Sequence, residues 1–303
     1  MAGNAATDLL DWSRSSKPIG LLAGGGRFPI LFAEKARQVG LRVVCVGLRG
    51  FASPELSACV ERFHWVGPLR LGKMIRLFRK EGVAQMVMAG KVTKADLMYR
   101  PWRMLFLLPD WRAFRCWYRR KRADNRDDTL LLGIIDEFAK DSIQFVSALD
   151  LCPELLVPSG ILTRRRPSPR EVEDIRFGWD LAKKMGELDI GQSIAVRDRS
   201  VLAVEAAEGT DQAILRAGQL CHNGGFVVVK VAKPQQDRRF DVPTIGQATI
   251  ETLYRARGKV LAIEADQTIV LDQPQTIALA DRYGLTVVAV DQGEVSAALP
   301  QAG

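Results

Sequence analysis

Histidine is scarce in this sequence of 303 residues, which holds only His64 and His222. No G-x-S-x-G or Cys/His pairing can be assembled around either, which argues against a histidine-activated nucleophile. The five cysteines, Cys45, Cys59, Cys116, Cys152 and Cys221, are scattered and form no C-x-x-C pair. A disulfide framework and a thiolate zinc site are therefore not expected, and a reducing, cytoplasmic compartment fits. Long apolar runs are also lacking: the longest, 104–108, is far below the ~18 residues of a membrane span. The first residues, M-A-G-N-A-A-T-D-L-L-D-W, carry Asp8 and Asp11 and no apolar segment, so 1–17 reads as an arm and not as a secretory signal. There is no short-period repeat and no low-complexity tract. A soluble chain, at most peripheral to a membrane, is expected.

What is present is an ordinary globular mixture, 47% hydrophobic and 26% charged, in a length that suits about two domains. The net charge of +8 favours anionic partners, whether phosphates, nucleic acid or an acidic membrane surface. In the first half, strands are expected at 19–23, 43–48, 63–66, 84–89 and 143–146, with helical spacing over 28–39 and 69–81. Strand–helix alternation implies a parallel sheet with right-handed crossovers, hence a Rossmann-like domain over 18–158. A Pro-, Ser- and Arg-rich run over 159–168 reads as a linker. The remainder, 169–303, reads as a second α/β domain, with helices at 171–185 and 210–220 and strands at 193–196, 201–205, 226–231, 260–264 and 286–290.

Several motifs admit both a structural and a chemical reading. Gly24, Gly25 and Gly26 lie between the first strand and its helix, where backbone N–H groups either hold an anion or simply make a turn. Their spacing is not G-x-G-x-x-G, and no acid follows the second strand to hold a ribose, which argues against a dinucleotide and against an oxidoreductase. Gly90 and Lys91 end the fourth strand in a similar way. The stretch 99–122 sets Arg100, Arg103, Arg112, Arg115, Arg119, Arg120, Lys121 and Arg122 among Trp102, Phe106, Trp111, Phe114, Trp117 and Tyr118. Such interleaving suits an anionic membrane surface, or a helical hairpin with basic ends. No recognised nucleic-acid motif accompanies it, and a nucleic-acid partner is not expected. In N-R-D-D, Asp127 or Asp128 caps a helix, or meets a phosphate-bound metal or a sugar hydroxyl. In E-A-A-E-G-T-D either Thr210 or Asp211 caps a helix, or Glu205 and Asp211 are metal or ribose contacts.

The stretch 233–246, K-P-Q-Q-D-R-R-F-D-V-P-T-I-G, combines carboxylates, cations and turn residues directly after an apolar strand. Asp237 and Asp241 lie among Lys230, Lys233, Arg238 and Arg239. A divalent cation with two phosphates needs that mixture, and Pro234 and Pro243 forbid a continuous helix. The alternative is a solvated turn.

Four segments in order, G-L-L-A-G-G-G-R-F-P-I-L-F-A, L-D-I-G-Q-S, V-L-A-V-E-A-A-E-G-T-D and K-P-x-Q-D-x-R-x-D-x-P-T-I-G, resemble the LpxI-type UDP-2,3-diacylglucosamine pyrophosphatases over most of the chain. The resemblance implies two α/β domains with a ligand cleft between them. It also implies metal-dependent hydrolysis of UDP-2,3-diacylglucosamine to UMP and 2,3-diacylglucosamine 1-phosphate (lipid X) in lipid A biosynthesis, with water attacking the sugar-side phosphorus. The family's key aspartate corresponds to Asp241. On this reading Asp241, Lys233 and Arg239 are catalytic, and Mg²⁺ or Mn²⁺ is held by Asp241 with Glu205 and Asp211. Substrate contacts come from Gly24, Gly25, Gly26, Gly90, Lys91, Asp127, Gln192, Gly209, Thr210, Gln236 and Thr244. A homo-oligomer and contact with the inner membrane are compatible with it. The N-terminal arm and the basic stretch 99–122 depart from the family pattern. The alternative from another class is a non-catalytic protein that binds a nucleotide-sugar or lipid.

Overall fold

Continuous apolar runs such as I-G-L-L-A and V-V-C-V-G-L have no polar face to offer water, so they form strands covered on both sides. The structure, a computed structural model, describes residues 17–92, 109–120 and 127–293. The arm before Lys17, and 99–108 and 121–122 of the basic stretch, lie outside the described residues. The chain divides into two compact units, one running to Pro153 and taking in Arg238–Phe240, the other comprising Glu154–Asp237 and the chain from Asp241 onward.

In the first unit the order is β1 (Ile19–Ala23), α1 (Phe28–Gln38), β2 (Val43–Leu48), α2 (Leu56–Cys59), β3 (Arg62–Val66), α3 (Leu71–Lys80), β4 (Gln85–Ala89), α4 (Trp111–Arg120), α5 (Asp127–Ala139) and β5 (Gln144–Phe145). The strands form one parallel sheet in the order β3-β2-β1-β4-β5. Helix α3 shows why its sequence folds so: Leu71, Met74, Ile75 and Phe78 fall on one face and are buried against Val44, Val46 and Met86 of the sheet.

The second unit follows as β6 (Gly160–Ile161), α6 (Pro169–Glu187), β7 (Ser193–Arg197), β8 (Ser200–Val204), α7 (Thr210–Leu220), β9 (Val227–Lys230), β10 (Thr244–Ile245), α8 (Gln247–Arg255), β11 (Val260–Glu264), β12 (Ile269–Val270), α9 (Gln273–Arg282) and β13 (Thr286–Val290). Its main sheet is mixed, in the order β6-β13-β11-β9-β7-β8, and β10 pairs with β12 separately. Val228 of β9 points into a cluster with Ile214, Ile250 and Ala280 of α7, α8 and α9. Val227 and Val229 point into one with Ile175 and Trp179 of α6. The sheet is thus sandwiched between helices.

The run that reads as a linker contributes β6, antiparallel to β13. It also supplies Ser168, whose side chain accepts the Glu171 N–H while the Glu171 carboxylate accepts the Ser168 N–H at 2.7 Å. This capping box, with Pro169 in the first turn, fixes where α6 begins.

Candidate active site

Strands β9, β11 and β13 are parallel, so their carboxyl ends lie at one end of the sheet, where open α/β sheets place ligands. The antiparallel β7 starts at that end, with Ser193 opposite Lys230. Just after β8, the Glu205 N–H donates to the Ser193 carbonyl at 2.8 Å and brings Glu205 to the same place. Gly191 in L-D-I-G-Q-S is required there, because a Cβ at that position would stand 2.0 Å from the Glu205 carbonyl oxygen. Gly209, with φ of +84°, turns the chain into α7 and sets Thr210 in its first turn.

Lys230 is the centre of this cluster. It is 5% exposed, and its Nζ donates to Thr210 Oγ1 at 2.9 Å and to the Thr244 carbonyl at 3.2 Å. Thr210 Oγ1 in turn donates to Glu205 Oε1 at 3.0 Å, and Ser193 Oγ lies 3.5 Å from it. Burying an ammonium among these groups is tolerable only because oxygens surround it.

The loop after β9 is pinned at its root and folded back on the cluster. Glu264, ending β11, accepts the Ala232 N–H at 2.7 Å and Lys183 Nζ at 2.6 and 2.7 Å, and Lys183 also reaches the Ala232 carbonyl at 3.3 Å. The next residue, Lys233, donates from Nζ to Asp189 Oδ1 at 2.7 Å and from its N–H to Gln236 Oε1 at 2.9 Å. Gln236 Nε2 donates to Gln192 Oε1 at 3.4 Å. The Asp241 N–H closes the turn on the Asp237 carbonyl at 3.0 Å. Burial pushes the Asp241 carboxyl above the usual carboxylate range. A hydrogen bond with Gln236 and the charges of Lys233 and Lys230 pull against that shift, and Asp189 adds to it. Lys230 and Lys233 offer cationic donors to phosphate oxygens, and the half-buried carboxylate that feels both their charges is placed to act on a proton.

Among the residues read from the sequence, Lys233, Gln192, Gly209, Thr210, Gln236, Thr244, Glu205 and Asp241 meet in or border this network, and Asp211 follows Thr210 in α7. The remaining ones belong to the first unit. Arg239 groups with the first unit, in which Phe240 packs against the core. The glycine loop is also in that unit, and the Gly24 and Gly25 N–H groups donate to the Ala89 and Lys91 carbonyls at 2.8 and 2.9 Å. Two of the donors read as an anion cradle are therefore engaged with backbone. Gly90, with φ of +91°, is needed because a Cβ there would lie 2.6 Å from the Gly25 carbonyl oxygen. Lys91 is exposed, its backbone bridged to Gly25. Asp127 opens α5, and its side chain lies outside the described residues. Lys230, Asp189 and Ser193 carry the site, although the sequence reading treats Lys230 only as one of several nearby cations. The signal for Lys230 is a lysine ending the apolar strand V-V-V-K.

The donor set for a metal is small. Among the described residues no three or more His, Cys, Asp or Glu side chains are grouped to hold an ion. Glu205 Oε2 and Asp211 Oδ1, however, are buried carboxylate oxygens with no hydrogen-bond partner. An orphaned carboxylate oxygen of this kind is the donor type that Mg²⁺ takes once or twice before completing its shell with substrate phosphate and water.

The description "LpxI N-terminal domain" matches residues 18–155 and "LpxI C-terminal domain" matches 158–288. The UDP-2,3-diacylglucosamine pyrophosphatase LpxI of Caulobacter vibrioides is 35% identical over 286 residues, covering 92% of this chain and 99% of that protein. With both halves matched in order and nearly all of the relative covered, the chain belongs to the LpxI family.

Proposed function

We propose that this protein hydrolyses the pyrophosphate bond of UDP-2,3-diacylglucosamine, giving UMP and 2,3-diacylglucosamine 1-phosphate in lipid A biosynthesis. The observation that carries the chemistry is the Asp241 carboxyl, raised by burial and flanked by Lys230 and Lys233. Water adds to the sugar-side phosphorus while that phosphorus loses its bond to the bridging oxygen, which leaves with UMP. Asp241 orients the water and takes its proton, a role suited to a carboxyl whose pKa is raised by burial. Lys230, Lys233 and the N-terminus of α7 offset charge developing on the phosphoryl oxygens. Gln192, Gln236 and Thr244 hold the loop and the lysines in place. Glu205 and Asp211 would hold Mg²⁺ or Mn²⁺, which would supply charge neutralisation at the phosphate when bound. The substrate is a lipid, and we propose that the enzyme meets it as a cytoplasmic protein peripheral to the inner membrane. Among the described residues no helix is long and apolar enough to cross a bilayer.

Incubation with UDP-2,3-diacylglucosamine and Mg²⁺ in ¹⁸O-water is expected to release UMP in equal amount to the lipid phosphate, with the label in the lipid product. Chelator is expected to stop the reaction and added Mg²⁺ to restore it. Absence of UMP would overturn the activity; full turnover in chelator would remove the metal. A second expectation concerns pH. Lys233 favours the charged form of Asp241, so Lys233→Met raises the Asp241 pKa further and the carboxylate is lost at a higher pH on acidification. The acid limb of kcat/KM should therefore move upward relative to the parent, and an unmoved limb would separate that limb from Asp241.

A further inference from the structure

Helix α4 is turned the opposite way to an ordinary surface helix. Its aromatic residues lie outward: Trp111 is 74% exposed, Phe114 43%, Trp117 47% and Tyr118 52%. Two of its cations reach back onto the domain, Arg112 to Asp141 and Arg115 to Glu137. Asp110 fixes the first turn, accepting the Ala113 N–H at 3.0 Å and the Lys73 N–H of α3 at 3.2 Å. The aromatic face is therefore held outward by specific contacts, at a cost in exposed apolar surface that a partner would remove. Beneath it opens a cavity of about 330 Å³, lined by Leu69, Leu71, Pro109, Phe114, Trp117 and Ile134 among others.

The charge of the surrounding sequence selects the partner. The stretch 99–122 holds eight cationic side chains against the single acid Asp110, which accounts for all but one of the chain's net +8 charges. A second copy of this chain would bring the same positive charge against itself. A single-stranded nucleic acid needs rings spaced to receive bases, whereas here Phe114 stacks on Trp111 at 5.9 Å and on Tyr118 at 6.2 Å, with Trp117 at 6.3 Å. An anionic bilayer supplies both needed features, a negative surface for the net positive charge of 99–122 and an interfacial layer for tryptophan and tyrosine. The cavity lining is hydrocarbon and suits the end of an acyl chain.

We infer that the outward face of α4 is the docking surface of this protein for an anionic phospholipid bilayer. The inference rests on the peripheral placement proposed above and names the element and the lipid charge responsible. The test uses the full chain and vesicles free of substrate, of phosphatidylcholine alone or with phosphatidylglycerol. Preferential co-sedimentation with the anionic vesicles is expected, lost in high salt. Trp111→Ser with Trp117→Ser should weaken it about tenfold or more, and Arg119→Gln with Arg120→Gln by roughly fivefold per charge. UMP release from detergent-dispersed substrate should be unchanged in both variants, so a failure of docking and a failure of the assigned reaction are read separately. Equal binding to neutral vesicles, unchanged binding by both variants, or retention on a single-stranded oligonucleotide without vesicle binding would each overturn the inference.

Discussion

Asp241→Asn is expected to lower turnover by ~10²–10⁴-fold, the range for loss of a general acid–base group, while substrate still binds. The substitution keeps the shape and one acceptor oxygen beside Gln236 but cannot take a proton from water. The same residue makes an opposite prediction for stability. Burial raises the Asp241 pKa in the folded protein, so over the interval between its unfolded and folded pKa values the native state holds more protons than the unfolded one. Stability then falls as pH rises through that interval, and above it the folded protein carries the cost of a buried charge. Asn carries none. The variant should therefore melt at the same or a higher temperature than the parent at pH 7.5, and the difference should close on acidification below the ordinary carboxylate range. Kinetics of UMP release and thermal melts at the two pH values check this. An aspartate needed for architecture would give the reverse, a lowered melting temperature with the charge removed. Near-normal turnover would dismiss Asp241 as the reacting group.

The α/β class and most of its strands are legible in the sequence because buried parallel strands need no partner-specific code. Runs such as Val260–Glu264 and Thr286–Val290 are apolar along their length, or nearly so, and a sheet covered on both faces demands little else. The two-residue strands Thr244–Ile245 and Ile269–Val270 were not legible, since they exist only through pairing with each other. Helix Gln247–Arg255 has only Ile250 and Leu253 as large buried apolar groups among threonines and charges, and its periodicity is correspondingly faint. The site divides along the same line. Charges and prolines mark 233–246 as an irregular segment, and its position after a core strand brings it to the sheet end. The hydrogen bonds of Gly24 and Gly25 to Ala89 and Lys91 join residues far apart in sequence, so no local motif reveals that those donors are engaged. Glu264 and Lys183, which hold Ala232 in front of Lys233, are hidden for the same reason.

Lys230 tests how far the cluster acts as a unit. Lys230→Met keeps the length of the side chain and most of the packing, but leaves the Thr244 carbonyl without its 3.2 Å bond and Thr210 without the 2.9 Å donor. Loss of a buried hydrogen-bond partner costs about 1–3 kcal/mol, enough to lower the melting temperature without preventing folding. The larger effect is expected on catalysis, a fall of ~10²–10³-fold in kcat, as when one preorganised donor to a developing oxyanion is removed. Lys230 also favours the charged form of Asp241, so the acid limb of the pH profile should rise with the substitution. Lys230, 5% exposed and bonded to Thr210 and the Thr244 carbonyl, is set deeper than Lys233, which makes it the more costly lysine to lose. A double-mutant cycle separates action through Asp241 from a general loss of structure. If Lys230 works with Asp241, adding Lys230→Met to Asp241→Asn should lower turnover far less than it does in the parent. An equal loss in both backgrounds would make the two groups independent and reduce Lys230 to a support for Thr210 and Thr244.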